Sequence, residues 1–490
     1  MNLLPILLAI PLSGVILSLL ARGSKRVSSL VGAATIIFLI VTAGFVAYRA
    51  WDGEILVHGI GNWPEGLGLG LAVDMLGGVM VLIVSVIGGL ALIYSMGELK
   101  DDGKYPHFVA TTLFLLTGLI GIIMTTDLFN LFVFVEISSV SAYVLVALRG
   151  GKFELEASLK YMILGTITGL LFLTGIATMY DQVGALNMGA IAERLSEMEG
   201  ENVVVEFSTL LILIGVGLPA AIFPLHTWLV DAYSRAPSAV SALLSGVSAK
   251  VAIYAMVRLF YQSFGLDSVG VLDLLPWAGL ATAIFGALLA LIQTDLKRLL
   301  AYTTVSSGGF SLLLISMATD VGFESLFMHL LNHTMAKTLL FLSAGVMIHV
   351  FSTREIPDMK GAWGRVPWLC SAFVLGAVCD FGGPSLGFLG KAKMFLGLAD
   401  GGWFTIAVAG AAVVLVAVSY LRVIQVLVSA ENGIGSGIIG IPRTMIAPIV
   451  VLVVICILLG LLAWTIQDQA GMVAAQIMDR LEMVASMVVM

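Results

Sequence analysis

Apolar runs of about twenty residues recur along this chain, and that is the length an α-helix needs to cross the ~30 Å hydrocarbon core of a bilayer. Fourteen runs can be marked, near residues 2–21, 28–48, 70–96, 107–125, 128–148, 160–181, 207–230, 238–261, 275–294, 299–318, 324–350, 367–398, 402–427 and 444–466. Backbone in lipid must satisfy its own N–H and C=O groups, so runs of this length are helices. Only 11% of the 490 residues are charged and 59% are hydrophobic, whereas a soluble domain carries about 25% charge. The surplus apolar surface has to face lipid. The expected fold is therefore an all-α integral membrane protein of about 14 transmembrane helices. A net charge of −7 lacks the basic footprint of a nucleic-acid binder.

The first run, MNLLPILLAIPLSGVILSLL, has no positive charge before it and Arg22, Lys25 and Arg26 after it. That polarity is wrong for a secretory signal, so it reads as a retained first membrane helix. Basic residues test the number of spans independently. Segments after odd-numbered spans carry Arg22, Lys25, Arg26, Lys100, Lys104, Arg149, Lys152, Arg235, Lys297, Arg298, Arg354, Lys360, Arg365 and Arg443. Segments after even-numbered spans carry only Arg49 and Arg194. One span missed or invented mid-chain would destroy this asymmetry. It places the chain in the cell membrane, multi-pass, with both termini outside the cytoplasm. The tail, 471–490, is amphipathic enough to lie at an interface. Cys370, Cys379 and Cys456 stand in or beside apolar runs without CxxC spacing and read as small core residues.

Two spans are interrupted. The seventh contains Pro219 and Pro224 in GLPAAIFPLHTW, and the twelfth contains FGGPSLGFLGK at 381–391. Proline removes a backbone donor and glycine weakens a helix, so both are expected to break at mid-membrane, where loose backbone survives only inside protein or beside water. Two broken helices five spans apart suggest two five-helix repeats, and an odd number of spans per copy inverts one against the other. The expected organisation is N-terminal helices 1–3 over 1–105, a first repeat over 106–262, an inverted second repeat over 275–428, and helix 14 with its tail over 440–490.

Ionisable groups at mid-bilayer are expensive and need an explanation. Glu136 lies about eight residues into the fifth span, too short a side chain to reach either interface. Lys250 lies twelve residues into the eighth. His329, His333 and Lys337 are spaced i, i+4, i+8 and so share one stripe of the eleventh. Two histidines at i, i+4 can hold zinc, but no HExxH glutamate is adjacent and a lysine in the stripe repels a metal. Histidine takes a proton on one ring nitrogen and releases it from the other. A buried lysine can do the same where burial favours its neutral amine. Lys391 follows the break of the twelfth span and Lys393 stands two residues on, where it either relays or snorkels. Asp380 precedes that break; it either holds a sodium ion with freed carbonyls or pairs with one of those lysines. Asp74, Asp127 and Asp231 sit near span ends and read as interfacial. Glu136, Lys250, His329, His333, Lys337 and Lys391 are the candidate proton relay, against the alternative of packing ion pairs.

The segments around these residues, DLFNLFVFVEISSVSAY (127–143), FPLHTWLVDAYSRAPSAVSALLSG (223–246), HLLNHTMAKTLLFLSAG (329–345) and GFLGK (387–391), resemble one known family. It comprises the antiporter-like subunits shared by Mrp-type sodium/proton antiporters, respiratory complex I, and membrane-bound hydrogenases and sulfane reductases. The likeness spans nearly the whole chain and is strongest from about 105 to 400. It implies fourteen spans with inverted five-span repeats, broken helices 7 and 12, and a hydrated polar axis in the membrane plane. It also implies that Glu136 is the span-5 glutamate and Lys250 the lysine joining two half-channels. His329, His333 and Lys337 would be the central relay, and Lys391 the terminal lysine. The family's span-7 lysine, which pairs with the glutamate, is Pro219 here. That leaves Glu136 to pair with Lys250, bind a cation or stay protonated.

The expected function is a proton-translocating, and in one branch sodium-translocating, subunit of a larger membrane complex. Its expected partners are other integral membrane subunits, with peripheral redox subunits in the hydrogenase-like branch. No CxxC, P-loop, or GxGxxG after a strand marks a cofactor site, so no cofactor is expected and any redox chemistry would belong to partners. The short stretch after span 14 favours the Mrp-like or hydrogenase-like branch. The alternatives are a scaffold subunit that has lost pumping, motivated by Pro219, and a stand-alone secondary transporter.

Overall fold

The computed structural model describes residues 3–61, 69–99, 103–198, 202–264, 270–429 and 440–479. Helices α1 (Leu4–Leu20) and α2 (Lys25–Trp51) lead into an antiparallel hairpin, β1 (Leu56–Ile60) and β2 (Leu69–Val73). Then follow α3 (Met75–Glu98), α4 (Tyr105–Met124), α5 (Leu128–Ala147), α6 (Lys152–Val183) and the short α7 (Met188–Glu197). Next come α8 (Val203–Gly217), α9 (Thr227–Arg235), and α10 (Ser238–Leu243), which passes through a π-helical turn at Leu244–Ser248 into α11 (Ala249–Val257). The second half comprises α12 (Leu275–Leu291), α13 (Leu296–Ser316), α14 (Asp320–Phe351), α15 (Ala362–Arg365), α16 (Pro367–Phe381) and α17 (Leu386–Leu398). It ends with α18 (Trp403–Val428), α19 (Arg443–Leu461) and α20 (Ala463–Met478).

Among the described residues, eleven helices are long and apolar enough to cross a membrane, counting Ser238–Phe264 and Pro367–Leu398 as one each. Three shorter apolar helices, Leu4–Leu20, Val203–Gly217 and Leu275–Leu291, stand where the first, seventh and ninth spans are expected. The chain is a mostly helical, multi-pass membrane protein. Its inner bundle is α3, α4, α10–α11, α13 and α14; the outer faces belong to α2, α6, α18 and α19. Ser238–Phe264 is 94% buried inside the protein and Trp403–Val428 only 28%.

Both predicted interruptions are present, with their freed backbone groups satisfied. After α8, the Leu218 carbonyl accepts from Trp228 Nε1 at 3.1 Å and the Phe223 N–H donates to Thr282 Oγ1 at 3.0 Å. After α16, Gly382 turns through φ +96°, open to glycine without strain, and Ser385 caps α17.

Two tight backbone bridges share one pattern. The N–H of Leu128 donates to Leu186 O and that of Met188 to Thr126 O; Leu296 N–H donates to Arg354 O and Ile356 N–H to Thr294 O. Asp127 opposes Asn187 in the first bridge and Asp295 opposes Glu355 in the second, an offset of 168 residues both times. Helices α6 and α14, each 32 residues long, begin at the same offset.

Some boundaries differ from expectation. The run at 70–96 opens as strand β2, because Asp74 caps the helix by accepting from Gly77 N–H at 2.7 Å. The run at 444–466 is divided between α19 and α20. Over 471–478 the apolar face of the tail meets protein: α20 buries Ala470, Val473, Ala474 and Ile477 and packs on α14. Its apolar stripe finds protein before it finds lipid. Residues 480–490 of that tail, and Lys100, lie outside the described residues.

Candidate functional site

The π-helical turn after α10 adds a residue to the winding and sets Lys250 at the start of α11, deep in the inner bundle. Its Nζ donates to the Ser245 carbonyl at 2.7 Å, and Ser245 Oγ meets Thr304 Oγ of α13 at 2.8 Å. Lys250 is 5% exposed, with Lys337 and Asp380 within electrostatic range.

The stripe on α14 forms as its spacing requires. His329 Nε2 is hydrogen-bonded to Ser307 Oγ at 2.9 Å, and the His329 and His333 rings lie 5.4 Å apart between centroids. His333 Nε2 stands 3.4 Å from Asp380 Oδ1, and Lys337 Nζ 3.0 Å from Asp380 Oδ2. Lys337 also donates to Thr303 Oγ1 at 2.5 Å and Tyr420 OH at 2.8 Å, while the Tyr420 hydroxyl donates to Asp380 Oδ2 at 2.6 Å. Lys391 Nζ donates to the Asp380 carbonyl at 2.6 Å, one of the backbone oxygens freed by the break. Another, Cys379 O, accepts from Asn332 Nδ2 at 2.8 Å.

Asp380 is therefore the hub. It touches His333 and Lys337 through its carboxylate and Lys391 through its carbonyl. The pairing anticipated for its carboxylate, with Lys391 or Lys393, is not the one formed: the break turns the carboxylate inward onto Lys337. Of its two carboxylate oxygens, Oδ2 takes the contacts with Lys337 and Tyr420, and Oδ1 accepts no hydrogen bond among the described residues. Lys393 forms an ion pair with Glu324 instead of reaching for an interface.

Glu136 stands apart from this group. It is half-buried and, among the described residues, has no ion pair; the pairing with Lys250 is not made. Its carboxyl lies on α6, where a Cβ at Gly169 would come 2.5 Å from Oε1. One turn away, a Cβ at Gly165 would come 1.8 Å from the Tyr143 hydroxyl. Two glycines at i, i+4 thus make the slot that receives Glu136 and Tyr143, themselves two turns apart on α5.

Other buried polar groups escape a search for charges in mid-span. Asp74, at the start of α3, is buried within the protein: it pairs with Arg258 at 3.3 Å, both nearly fully buried, and Arg258 also donates to Tyr254 OH at 2.7 Å. Asp127 caps α5, accepting from Asn130 N–H at 2.8 Å, and Asp231 pairs with Arg298 and Lys160 at 3.1 Å each. Lys297 opens α13, is 3% exposed, and donates to Ala236 O at 2.7 Å. It borders a cavity of about 120 Å³ together with Glu98, Arg149, Ser238, His349 and Arg354. From that cavity Ser238, Ser241 and Ser245 follow one face of α10 up to Lys250. The run TTVSSGG at 303–309 is the signal in the sequence that marks Thr303, Thr304 and Ser307 as a polar lining.

Chemically, this is a set of proton-bearing side chains within a protein-enclosed interior, with Lys337, Tyr420 and Asp380 hydrogen-bonded to one another. Comparison with known proteins gives it a family. The model for the membrane domain common to NADH:quinone oxidoreductase and Mrp antiporters matches residues 125–417. The chain belongs to this family. It is 34% identical over 432 residues to an NADH-quinone oxidoreductase subunit of the N type from Desulforudis audaxviator, covering 84% of this chain and 85% of that one. It is 30% identical over 487 residues to a Na(+)/H(+) antiporter subunit of the D type from Alkalihalophilus pseudofirmus, covering 97% of each. Among solved structures, a chain of the archaeal membrane-bound sulfane sulfur reductase superposes with a TM-score of 0.92 at 27% identity, over 99% of this chain and 100% of that one. A chain of the Mrp complex from Dietzia superposes at 0.91 and 24% identity over 99% of each, a likeness of fold. This antiporter-like membrane subunit thus has the expected architecture in its coarse form, and its relatives are subunits of multi-subunit membrane complexes.

Proposed function

We propose that this subunit carries protons through the bilayer as part of a larger membrane complex, along Lys250, His329, His333, Lys337, Asp380 and Lys391. The observation that carries the reading is the continuity around Asp380: two lysines, a histidine and a tyrosine meet one buried residue where a broken helix frees its carbonyl. Each neighbour can gain or lose a proton while Asp380 offers compensating charge, which lowers the cost of moving a positive charge through a low-dielectric interior. The cavity at Lys297 and the serines of α10 form the approach to Lys250 from the basic side of the membrane. Sodium enters the proposal through the antiporter relatives, as the ion exchanged for the proton.

Eleven long helices and three shorter ones make fourteen crossings, with both termini outside the cytoplasm. The two bridges 168 residues apart support an inverted pair of repeats, 106–262 and 275–428, flanked by 1–105 and 440–490. At that offset Gly165 corresponds to His333 and Gly169 to Lys337. The first repeat therefore has bare glycines where the second has its relay, and Glu136 fills the space they leave. Glu136 remains in the proposed line as its carboxylate end, with its cation coming from outside this chain. A scaffold without pumping is supported by the first repeat only.

The test is ion movement by the whole complex in proteoliposomes. Lys250→Ala and Lys337→Ala are each expected to lower proton movement about a hundredfold or more, the lower end of what a positioned acid–base group contributes. Undiminished movement in both assembled variants would favour the scaffold.

A further inference from the structure

Helices α2, α3 and α4 leave a groove of about 230 Å³ between them, floored by Gly32 and Gly89 and walled by Ala33, Ile36, Ile93 and Val109. It faces outward: Ile37 on its lip is 61% exposed and Ile93 40%. From Ser29 to Ile40 it follows one stripe of α2 for eleven residues, about 16 Å, close to the ~15 Å of one hydrocarbon leaflet. The end at Ser29 is polar, since Ser29 Oγ donates to Tyr105 OH at 3.2 Å. One turn earlier on the same stripe, Lys25 Nζ stands 5.0 Å over the Tyr105 ring and donates to Leu99 O at 2.8 Å. Arg22 and Arg26 are exposed at the same end.

The geometry points to a binding site for one anionic phospholipid, its acyl chain in the groove and its phosphate against Lys25, with Arg22 and Arg26 beside it. An apolar slot that opens to hydrocarbon excludes a polar ligand along its length. Its length matches the thickness of one leaflet, and three cations gather at the mouth, the pattern by which basic sites among membrane helices select anionic headgroups. A helix about 10–12 Å across would cover this slot rather than enter it. The small residues have a packing reason as well: a Cβ at Gly89 would come 2.7 Å from Ile36 Cγ2, and one at Gly32 2.9 Å from Val109 Cγ1. Without side chains there, the three helices approach and leave a channel between their larger neighbours.

The experiment is native mass spectrometry of the intact complex, delipidated and then given phosphatidylglycerol or phosphatidylcholine. The wild type is expected to retain one more phosphatidylglycerol than phosphatidylcholine. Ala33→Trp, which fills the groove from an exposed position, is expected to lose that lipid, while Val414→Trp on the outer face of α18 keeps it. Lys25→Gln is expected to weaken phosphatidylglycerol retention about fivefold, the worth of one basic residue at an anionic surface, and to leave phosphatidylcholine unchanged. If Ala33→Trp does not assemble, the Lys25→Gln comparison decides alone. Equal retention of the two lipids by the wild type would overturn the proposal. So would cross-linking of a benzophenone side chain at position 33 to a neighbouring subunit in native membranes. Proton movement is not the readout, so failure here leaves the relay reading untouched.

Discussion

Tyr420 shows how a residue without charge can govern those that have it. Its hydroxyl donates to Asp380 and accepts from Lys337, with Thr303 3.1 Å away, so it holds the carboxylate and the ammonium at a fixed separation. Removing it leaves a buried carboxylate oxygen and a buried ammonium each one partner short, at about 1–3 kcal/mol for an unsatisfied buried group. Tyr420→Phe is accordingly expected to lower the thermal stability of the complex by that amount and to slow proton movement severalfold. Unfolding monitored in detergent, alongside flux in proteoliposomes, checks both. The charged members of this cluster were legible from spacing alone, since a histidine or lysine in mid-span has no inexpensive explanation. Tyr420 was not, because a lone hydroxyl in an apolar span is unremarkable until its partners are known. Asp380 was visible as a residue but not as a hub: which way its carboxylate turns depends on how the chain leaves α16, and that is a tertiary property.

The glycine beside the break in the twelfth span and those on α6 make different demands. A Cβ at Gly387 would come 2.6 Å from the Cys379 carbonyl and 2.5 Å from Asn332 Nδ2, whereas one at Gly169 meets only the mobile end of Glu136. Backbone cannot retreat as a carboxyl can, so overpacking at Gly387 costs about 1–3 kcal/mol. Gly387→Ala is therefore expected to lower stability clearly, and Gly169→Ala to stay within about 0.5 kcal/mol while displacing Glu136. Paired unfolding curves in one detergent make the comparison; equal losses would show that the slot on α6 is as rigid as the break. Proline and glycine gave both interruptions from the sequence because their effect on a helix is local. The β1–β2 hairpin and the packing of α20 were not legible: five-residue strands give little periodic signal, and an amphipathic tail reads the same whether its apolar face meets lipid or protein.

Across the whole molecule, the asymmetry between halves is the main result. The bridges at 126–128 with 186–188 and at 294–296 with 354–356 share one hydrogen-bonding pattern, yet the side chains on α6 and α14 differ. On α14 His333 and Lys337 face Asp380, whereas α6 carries Gly165 and Gly169 at the same offset, with Tyr143 and Glu136 against them. The proposed topology is open to a direct check, because Gly23 and Asp52 are exposed at opposite ends of α2. In right-side-out vesicles, Asp52→Cys is expected to react with an impermeant maleimide and Gly23→Cys only after the membrane is opened; the reverse pattern would invert the orientation. The central claim, that protons pass by way of Asp380, is tested most directly by Asp380→Asn in the complete complex, a change that keeps shape and removes charge. With assembly confirmed, proton movement in proteoliposomes is expected to fall about a hundredfold or more, as for loss of a group that takes part in proton transfer, and wild-type movement in that variant would contradict it.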